Sequence, residues 1–550
     1  MSDSDFTPHN SEPIDNSDRS PAPPVDELAA IREQVAKRRA EEPKAPIEDV
    51  DPAPDRHFVV QCAKANDIGN GLLFAQLHRN KFTFNHQAAE WMVWRGSHWD
   101  FDITKEAAIA VARVVDCYLS TRIELYKLKQ QAEDDGDKEG ASRLNRQCKV
   151  LADQADYLRS IGGINNCLKA ACMIDDPIAI RGDELDQEPW LLPVANGVLD
   201  LRTGKLRKGV PGEFLHRASC VEWRGMDAEA AAWDKFMLEI MAGDEEMVAY
   251  LHRIFGYAIT GLTNEHTFLV MEGEGRNGKG LLVETIGEIL DDLAGPIPAE
   301  MLLAQKQARS SQGPSADIME LRGRRIAFAS EPDDGTRFSA GKVKWYSGGD
   351  TLTGRYPHDK RMVRFKPTHQ LVLLTNVRPH APANDFAFWD RMHLVEFTRR
   401  FVNSPSADNE LQRDPFLKEK LQKEYPGILA RLVRGCLDYQ QQGLNPPRKV
   451  LDATSEYRKD EDVMADFFED CLISDGVIKD SYVLSATLYP VFERWWIKNV
   501  SAKNVPKMKG MGDRMRKQGF PSERIPREGN VKGYYGIRIN PRALTLYGNG

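Results

Sequence analysis

The stretch "FLVMEGEGRNGKGLLVETI", residues 268–286, combines an apolar strand, a glycine-rich turn and the start of a helix. Its centre follows the phosphate-binding pattern G-x-x-x-x-G-K-[ST] from the first glycine through the lysine. Glycines let backbone N–H groups turn towards a phosphate, and the N-terminus of the next helix adds its positive dipole end. The sequence therefore predicts a nucleotide-binding loop, and its residues are Gly273, Glu274, Gly275, Arg276, Asn277, Gly278, Lys279, Gly280 and Leu281.

Gly280 stands where the pattern requires Ser or Thr, whose hydroxyl normally holds Mg²⁺. Lys279 is expected to reach the β- and γ-phosphates of ATP as a point charge. Two interpretations of the loop are open: an ATPase with an unusual metal site, or a degenerate nucleotide pocket. We favour the first, because Mg²⁺ commonly keeps several waters and a water can replace the missing hydroxyl.

A second apolar strand, within "GRRIAFASEPDD" (323–334), ends in Ser330-Glu331. A phosphate loop needs an acid on a neighbouring strand, so Glu331 is predicted to polarise the attacking water as general base. An Asp usually precedes that Glu and supports the metal, whereas this chain has Ser330. We expect Mg²⁺ to be steadied by Glu331 and Ser330.

A third strand, "HQLVLLTN" (369–376), ends in Asn376, which can orient the water or sense the γ-phosphate. Fifteen residues on, "FWDRMHLVEF" presents Arg391 immediately before a fourth strand. Arg391 is predicted to act in trans on the nucleotide of a neighbouring subunit. The predicted catalytic residues are therefore Lys279, Glu331, Asn376 and Arg391.

Between the second and third strands, residues 355–366 carry five bases against one acid, Asp359. "PHDK" suits a hairpin tip, and a basic tip fits contact with a DNA backbone, because phosphate charge dominates affinity without reading sequence. A solvated surface hairpin is the alternative. The predicted DNA-binding residues are Arg355, His358, Lys360 and Arg361.

This order of motifs resembles superfamily 3 helicases, the hexameric AAA+ replicative motors of small DNA viruses, phages and plasmids. More narrowly, the chain is similar to the helicase half of phage and plasmid primase-helicases, which are related to the poxvirus helicase-primase. The resemblance covers roughly residues 60–545. It implies a homo-hexameric ring, ATP hydrolysis with Mg²⁺ at subunit interfaces, and 3′→5′ translocation on single-stranded DNA. The matching stretches are "LPVANGVLDLRTGKL", "GEGRNGKG", "SGGDTLTGRY", "LLTNVRP" and "FWDRMHLVEF".

The expected fold class is α/β, with a central parallel sheet flanked by helices as in AAA+ P-loop ATPases. Helix, strand and turn signals divide the chain into successive units. The last unit is expected to contain two helices, a basic loop and a hairpin around "GYYGIRI". The predicted units are a disordered acidic tail (1–55), a helicase-associated α/β domain (56–225), the ATPase domain (226–404), a helical subdomain (405–465) and a basic winged-helix-like domain (466–550).

Charge is distributed unevenly along the chain, although the formal net charge is only −8. Residues 1–55 contain 14 acids and 6 bases, a net of −8, and residues 501–550 contain 11 bases and 3 acids, a net of +8. The basic end fits a DNA or replisome contact, or a merely solvated basic face. The acidic start is compositionally typical of disorder.

Several classes of protein are excluded or disfavoured. There is no apolar run long enough to span a membrane, no secretion signal and no C-x-x-C pair among the eight cysteines, so a cytoplasmic protein with reduced thiols is expected, in a bacterial host. Asp100-Phe101-Asp102 is interpreted as a turn beside Trp91, Trp94 and Trp99, which are expected to pack a small α/β unit. We therefore expect no primase domain and a separate primase or replication initiator as partner.

The leading hypothesis is an ATP-driven replicative helicase of a phage, prophage or plasmid, acting on single-stranded or forked DNA. A DNA packaging or transfer ATPase is a second hypothesis, disfavoured by the lack of a recognisable nuclease carboxylate cluster after residue 400. A non-hydrolysing origin-binding or loading protein is a third, motivated by Gly280 and Ser330.

Overall fold

The computed structural model describes residues 54–304, 315–330, 336–356, 362–474, 481–500 and 505–548, apart from the Lys517 side chain. These residues fall in one compact unit that begins at Pro54. Asp55 caps the first helix, since its carboxylate accepts hydrogen bonds from the backbone N–H groups of His57 and Phe58. Of the tail predicted to be disordered, residues 1–55, residues 1–53 lie outside the described residues.

The first part of the chain packs six helices around a four-stranded sheet with strand order β3-β2-β1-β4. Its two long helices are separated by residues 135–137, and Asp137 caps the second of them. Trp99 is buried and Trp91 packs against the core, which confirms the predicted packing role of the tryptophans. The elements are α1 (Arg56–Lys64), α2 (Asn66–His78), β1 (Phe82–Asn85), β2 (Glu90–Trp94), β3 (Trp99–Phe101), α3 (Glu106–Ala110), α4 (Ala112–Asp134), α5 (Lys138–Tyr157), α6 (Ile161–Ala171) and β4 (Ala179–Ile180).

The Asp100-Phe101-Asp102 tripeptide ends a strand and caps a helix, which corrects the expected turn. Asp100 and Phe101 belong to β3. The Asp102 carboxylate accepts hydrogen bonds from the backbone N–H groups of Glu106 and Ala107, at 2.7 and 2.9 Å. Asp102 therefore satisfies the open N–H groups at the start of α3, as an N-terminal cap does.

A three-stranded antiparallel meander follows, and Asp200 pairs with Lys205 across a turn that contains Thr203 and Gly204. Two helices then lead to the phosphate loop. Trp233, Phe236, Met237 and Ile240 are all buried on the first of them and form its apolar face. The elements are β5 (Leu191–Val194), β6 (Gly197–Asp200), β7 (Lys205–Arg207), α7 (Ala231–Ile240) and α8 (Glu245–Ala258).

The central domain is built on a five-stranded parallel sheet with strand order β14-β8-β13-β10-β9. Four of its strands were predicted from apolar runs. The fifth, Ala294–Pro296, escaped prediction because it is short and contains Gly295 and Pro296, residues that weaken a strand signal and are tolerated at a sheet edge. The elements are β8 (Phe268–Glu272), α9 (Lys279–Leu290), β9 (Ala294–Pro296), α10 (Ala316–Met319), β10 (Ile326–Ser330), α11 (Ala340–Tyr346), β11 (Leu352–Gly354), β12 (Val363–Phe365), β13 (Gln370–Thr375), α12 (Phe386–Trp389) and β14 (Met392–Glu396).

The core lies on both faces of this sheet. Every residue of β13 is buried, and Phe268–Met271 of β8 are buried too. Strands covered on both faces read as continuous apolar runs rather than as alternating patterns. This burial explains why "FLVM" and "QLVLLT" could be recognised as strands from sequence.

The remaining residues form a helical segment and a basic C-terminal module. The helical segment contacts the central domain: α14 packs on α8, and α15 packs on β14. The elements are β15 (Arg400–Val402), β16 (Glu410–Gln412), α13 (Leu417–Lys423), α14 (Tyr425–Gln442), α15 (Arg448–Asp460), α16 (Val463–Cys471), β17 (Leu472–Ser474), β18 (Tyr482–Leu484), α17 (Ser485–Asn499), α18 (Met508–Lys517), β19 (Glu523–Ile525), β20 (Val531–Tyr535), β21 (Ile537–Ile539) and α19 (Pro541–Tyr547).

Two expectations about the C-terminal module were wrong. The stretch expected to be a basic loop contains a helix, α18, because Met511 and Met515 form an i, i+4 apolar pair that is fully buried. The expected hairpin around "GYYGIRI" is also absent from the described pairings: β20 pairs with β18 and β19, whereas β21 pairs with β17. Gly536, with a φ of 76°, separates the two strands.

The eight cysteines are all free thiols, as expected. Across the described ranges, the structure contains no helix that is both long and apolar enough to cross a membrane.

Candidate functional site

The phosphate-type loop turns sharply between β8 and α9, and two glycines make the turn possible. A Cβ on Gly273 would lie 2.4 Å from Asn277 Nδ2 and 2.5 Å from the Phe397 carbonyl oxygen. Gly278 has a φ of 90°, and a Cβ there would lie 2.5 Å from Ile240 Cγ2. The loop therefore packs against α7 and the segment after β14 so closely that these positions require glycine.

Lys279 is the first residue of α9 and its side chain is buried, with only 5% of the residue exposed. Its ammonium donates hydrogen bonds to the carbonyl oxygens of Gly273 and Thr375 and, at 3.2 Å, to Asn376 Oδ1. The loop and the end of β13 are thus joined through one charged group. The fold brings the predicted Lys279 and Asn376 into direct contact.

Gly280 is exposed, and no atom lies within 4 Å of where its Cβ would be. Packing therefore does not exclude a serine or a threonine at this position. This separates Gly280 from Gly273 and Gly278, which the packing requires.

The carboxyl ends of the parallel strands meet at the edge that holds the loop. Ser330 of β10 is the register partner of Leu374, and Thr375 of β13 is the partner of Glu272 in β8. Ser330 is exposed at this edge, one residue before Glu331. Glu331, predicted as general base and metal ligand, lies outside the described residues.

A cleft of 370 Å³ opens at the loop and is lined by Glu274, Gly275, Arg276 and Arg400. The backbone N–H of Phe401 donates to the Arg276 carbonyl oxygen at 2.7 Å, which fixes β15 beside the loop. Arg400 was not predicted from sequence, because it follows β14 by four residues and belongs to no motif. Its position gives the cleft a second cationic side chain beside Arg276.

Arg378 is a second residue that sequence reasoning missed. Its Nε donates to Glu272 Oε2 at 2.7 Å and its Nη2 donates to Glu396 Oε1 at 2.9 Å. Burial by itself lowers the pKa of this guanidinium, but the hydrogen bond to Glu272 and the charges of Glu272, Glu396 and Asp460 outweigh it and raise the pKa. The sequence does contain a signal for such a residue. The strands "FLVME" and "MHLVE" both end in a glutamate, and two neighbouring carboxylates favour a cation between them.

The segment after Arg378 is attached to α15. The Tyr457 hydroxyl donates to the Pro379 carbonyl oxygen, and the Ala381 N–H donates to Glu461 Oε2 at 3.1 Å. The Arg458 guanidinium also lies 4.1 Å from the centre of the Phe386 ring. The loop that begins at Asn376 is therefore held by the helix that leads into the C-terminal module.

Arg391 lies at the opposite end of the parallel strands, where their amino termini are. The Phe268 N–H donates to the Arg391 carbonyl oxygen at 2.8 Å, at the amino ends of β8 and β14. One guanidinium nitrogen contacts the His266 carbonyl oxygen at 3.4 Å. The fold does not bring Arg391 to the nucleotide loop of its own chain.

The predicted basic hairpin has its two strands. Gly354 of β11 pairs with Val363 of β12, so residues 355–362 connect them. Arg355 directly follows β11, and its backbone exchanges hydrogen bonds with Ser315. His358, Lys360 and Arg361 lie outside the described residues. Within the described ranges, no group of three or more His, Cys, Asp or Glu side chains is placed to hold a metal ion.

Comparisons with known proteins agree with these motifs. Residues 71–242 match the family model described as D5 N terminal like. The chain is 26% identical over 476 residues to a candidate helicase of Acanthamoeba polyphaga mimivirus, covering 82% of this chain and 48% of that protein. It is 23% identical over 349 residues to a candidate primase of African swine fever virus, covering 58% of this chain and 34% of that protein. The chain is a relative of the D5-like superfamily 3 primase-helicases.

This confirms the resemblance found from sequence. A further relative, a candidate helicase of Invertebrate iridescent virus 3, is 24% identical over 82% of this chain and 52% of its own length. The chain thus spans about half the length of the mimivirus and iridescent virus proteins and about a third of the African swine fever virus protein. The solved apo structure of the NrS-1 C-terminal region covers 57% of this chain and 78% of its own at 12% identity, but its TM-score of 0.34 supports no argument.

Proposed function

We propose that this D5-like chain is an ATP-driven DNA helicase that translocates 3′→5′ on single-stranded DNA as a homo-hexameric ring. The observation that carries the proposal is the contact of buried Lys279 with Asn376 at the carboxyl edge of a parallel sheet. In open α/β sheets, ligands bind at this edge. The AAA+ assignment of the domain rests on the same arrangement and belongs to the proposal.

ATP fits the residues present at the loop. The buried Nδ2 of Asn277 has no hydrogen-bond partner among the described residues, and unpaired buried donors are rare unless a ligand or water meets them. Residues 273–281 would hold the phosphates, with Lys279 moving from its carbonyl partners to the β- and γ-oxygens. Mg²⁺, held by phosphate oxygens, water, Glu331 and Ser330, would neutralise charge on the transferred phosphoryl group.

DNA contact is assigned to two basic surfaces. The first is the hairpin formed by β11 and β12, with Arg355 directly after β11 and with His358, Lys360 and Arg361 in the sequence that connects the two strands. The second is the C-terminal module, proposed to be winged-helix-like. There Arg524 and Lys532 are exposed register partners on adjacent strands. Like charges directly opposite each other are unfavourable alone, so this pair favours a bound anion such as a DNA phosphate.

Hexamer formation is supported by the position of Arg391. The five residues of β8 separate it from the loop by roughly 16 Å at 3.3 Å per residue, so it cannot act on the nucleotide of its own chain. A neighbouring subunit is the partner that would place this guanidinium beside a γ-phosphate. A phage, prophage or plasmid source and a separate primase or initiator stay predictions; the relatives named above are from eukaryotic viruses.

A second candidate function is a nucleotide-dependent loading or origin-binding protein that does not hydrolyse ATP. Gly280 favours it, since the loop lacks the hydroxyl that usually holds the metal. Hydrolysis measured with Mg²⁺ and single-stranded DNA separates the two candidates.

The test compares ATP hydrolysis with unwinding of forked duplexes bearing a 3′ or a 5′ tail. Lys279→Ala is expected to abolish both activities. Lys360→Ala is expected to keep most hydrolysis and lose unwinding, because it removes a DNA contact and not a nucleotide contact. Arg448→Ala, at a surface position whose side chain is 85% exposed, is the control. Normal unwinding by Lys279→Ala would contradict the proposal. A wild-type protein that never hydrolyses ATP would favour the second candidate.

A further inference from the structure

We propose that Arg378 is a positioning residue that holds the Asn376 loop against the phosphate loop, and that it is needed for ATP turnover rather than for nucleotide binding. The inference rests on the proposed ATPase function. It concerns a residue that lies within the stretch "LLTNVRP" but was not predicted to be a site residue.

The first step is electrostatic. Glu272 and Glu396 are register partners at the ends of β8 and β14, so two carboxylates stand side by side immediately before the phosphate loop. Like charges in this arrangement repel each other. The Arg378 fork donates to one carboxylate from Nε and to the other from Nη2, and its third nitrogen, Nη1, lies 3.7 Å from Asp460 Oδ2. A planar guanidinium can satisfy several carboxylates at fixed angles, which a lysine ammonium cannot do.

The second step is the short distance in sequence from Arg378 to Asn376. The Thr375 hydroxyl donates to the Val377 carbonyl oxygen, which tightens the turn between the two residues. Arg378 holds one end of this turn at β8 and β14, and Lys279 holds the other end at Thr375 and Asn376. Asn376 therefore lies in a turn that is held at both ends, and its side chain contacts the lysine that is proposed to bind phosphate.

The third step follows from what happens when Lys279 moves to a nucleotide. The contacts of Lys279 with Thr375 and Asn376 are then lost, and Arg378 with its carboxylates becomes the main anchor of the turn at the sheet edge. The other anchor lies on α15, through Tyr457 and Pro379, and the Arg378 guanidinium itself stacks 5.3 Å from the centre of the Tyr457 ring. Arg378 therefore acts when nucleotide is bound, and this is the state in which Asn376 must orient a water.

The matched control is Arg431, another largely buried arginine in a carboxylate pair. Its side chain is 17% exposed, against 24% for Arg378, and its Nη2 lies 2.5 Å from Asp234 Oδ2. It belongs to α14 and pairs with α7, away from Asn376. Loss of either arginine removes a similar ion pair, but only one of them adjoins the site.

The experiment measures affinity for ADP, kcat and KM for single-strand-stimulated ATP hydrolysis, and thermal unfolding. Arg378→Gln is expected to keep ADP affinity within about threefold and to lose at least tenfold in kcat. Arg431→Gln is expected to shift unfolding comparably and leave kcat within twofold. Equal losses of kcat in the two variants, or a loss of ADP affinity as large as the loss of kcat, would overturn the inference.

A double variant separates positioning from simple charge neutralisation. Glu396→Gln added to Arg378→Gln removes the carboxylate repulsion and is expected to restore the unfolding temperature without restoring kcat. Recovery of kcat would mean that Arg378 only neutralises charge, and would overturn the positioning role. Wild-type turnover is measured first: its absence defeats the proposed function and this inference together, whereas wild-type turnover with unchanged Arg378→Gln kinetics defeats the inference alone.

Discussion

Lys279 and Arg391 lie at opposite ends of the strands of one five-stranded parallel sheet. Lys279 follows the carboxyl end of β8, and the Arg391 carbonyl oxygen accepts a hydrogen bond from Phe268 at the amino end of the same strand. A residue that must contact the same phosphate as Lys279 can do so from this position only in another subunit.

Complementation between two inactive variants tests this geometry. Lys279→Ala and Arg391→Ala are each expected to lose at least tenfold in ATP hydrolysis, since removal of an arginine finger alone costs about 10³-fold or more. Mixing the two should restore part of the rate, because some interfaces then combine an intact loop with an intact arginine. The rate of hydrolysis is measured against the mixing ratio. A mixture no more active than its components would show that Arg391 does not complete a neighbour's site.

Gly280 and Gly278 should respond in opposite ways to serine. At Gly280 the space around Cβ is open and the backbone is helical, so Gly280→Ser should raise the unfolding free energy by about 0.5 kcal/mol through helix propensity. It should also lower the Mg²⁺ concentration for half-maximal hydrolysis, since it restores a metal-binding hydroxyl. Thermal unfolding and a Mg²⁺ titration measure the two effects.

Gly278→Ser is the contrasting variant two residues away. Its backbone lies in the left-handed region and its Cβ would clash with Ile240, so it should destabilise the protein by about 1–3 kcal/mol. If Gly280→Ser leaves the Mg²⁺ requirement unchanged, the metal is not bound on that side of the loop.

Acid sensitivity should arise partly from His393, which is buried in β14 and hydrogen-bonded to the Tyr250 hydroxyl. Burial lowers the pKa of His393 from 6.5 to about 4. Between these values the unfolded chain binds a proton that the folded chain excludes, so the unfolding free energy falls as pH drops from 6.5 to 4, by up to about 1.4 kcal/mol per pH unit.

His393→Gln should remove this contribution and flatten the dependence of unfolding free energy on pH in that window. Denaturant unfolding at several pH values between 4 and 7 measures it. His57→Gln, at an exposed histidine of α1, controls for loss of an imidazole in general. An unchanged slope in His393→Gln would contradict a neutral, buried His393.

Much of the central domain was accessible from sequence because its strands are buried on both faces. Continuous apolar runs marked β8, β10, β13 and β14, and the polar residue at each end marked the edge where a site would form. The edge strand β9 and the helix α18 were missed for related reasons. Strand β9 contains Gly and Pro at a sheet edge. Helix α18 has two apolar methionines within a strongly basic stretch.

By itself the sequence determined the glycine-rich loop between a strand and a helix, the order of the strand-end residues and the two strands of the hairpin, because these depend on local patterns of apolar, glycine and charged residues. Tertiary structure alone decided which of these residues meet. It brought Asn376 into contact with Lys279 and joined Glu272 and Glu396 through Arg378. It also placed Arg391 at the amino ends of the strands, away from Lys279. Strand order and register produce these contacts between residues far apart in the chain, and neither is written in any single segment of the sequence.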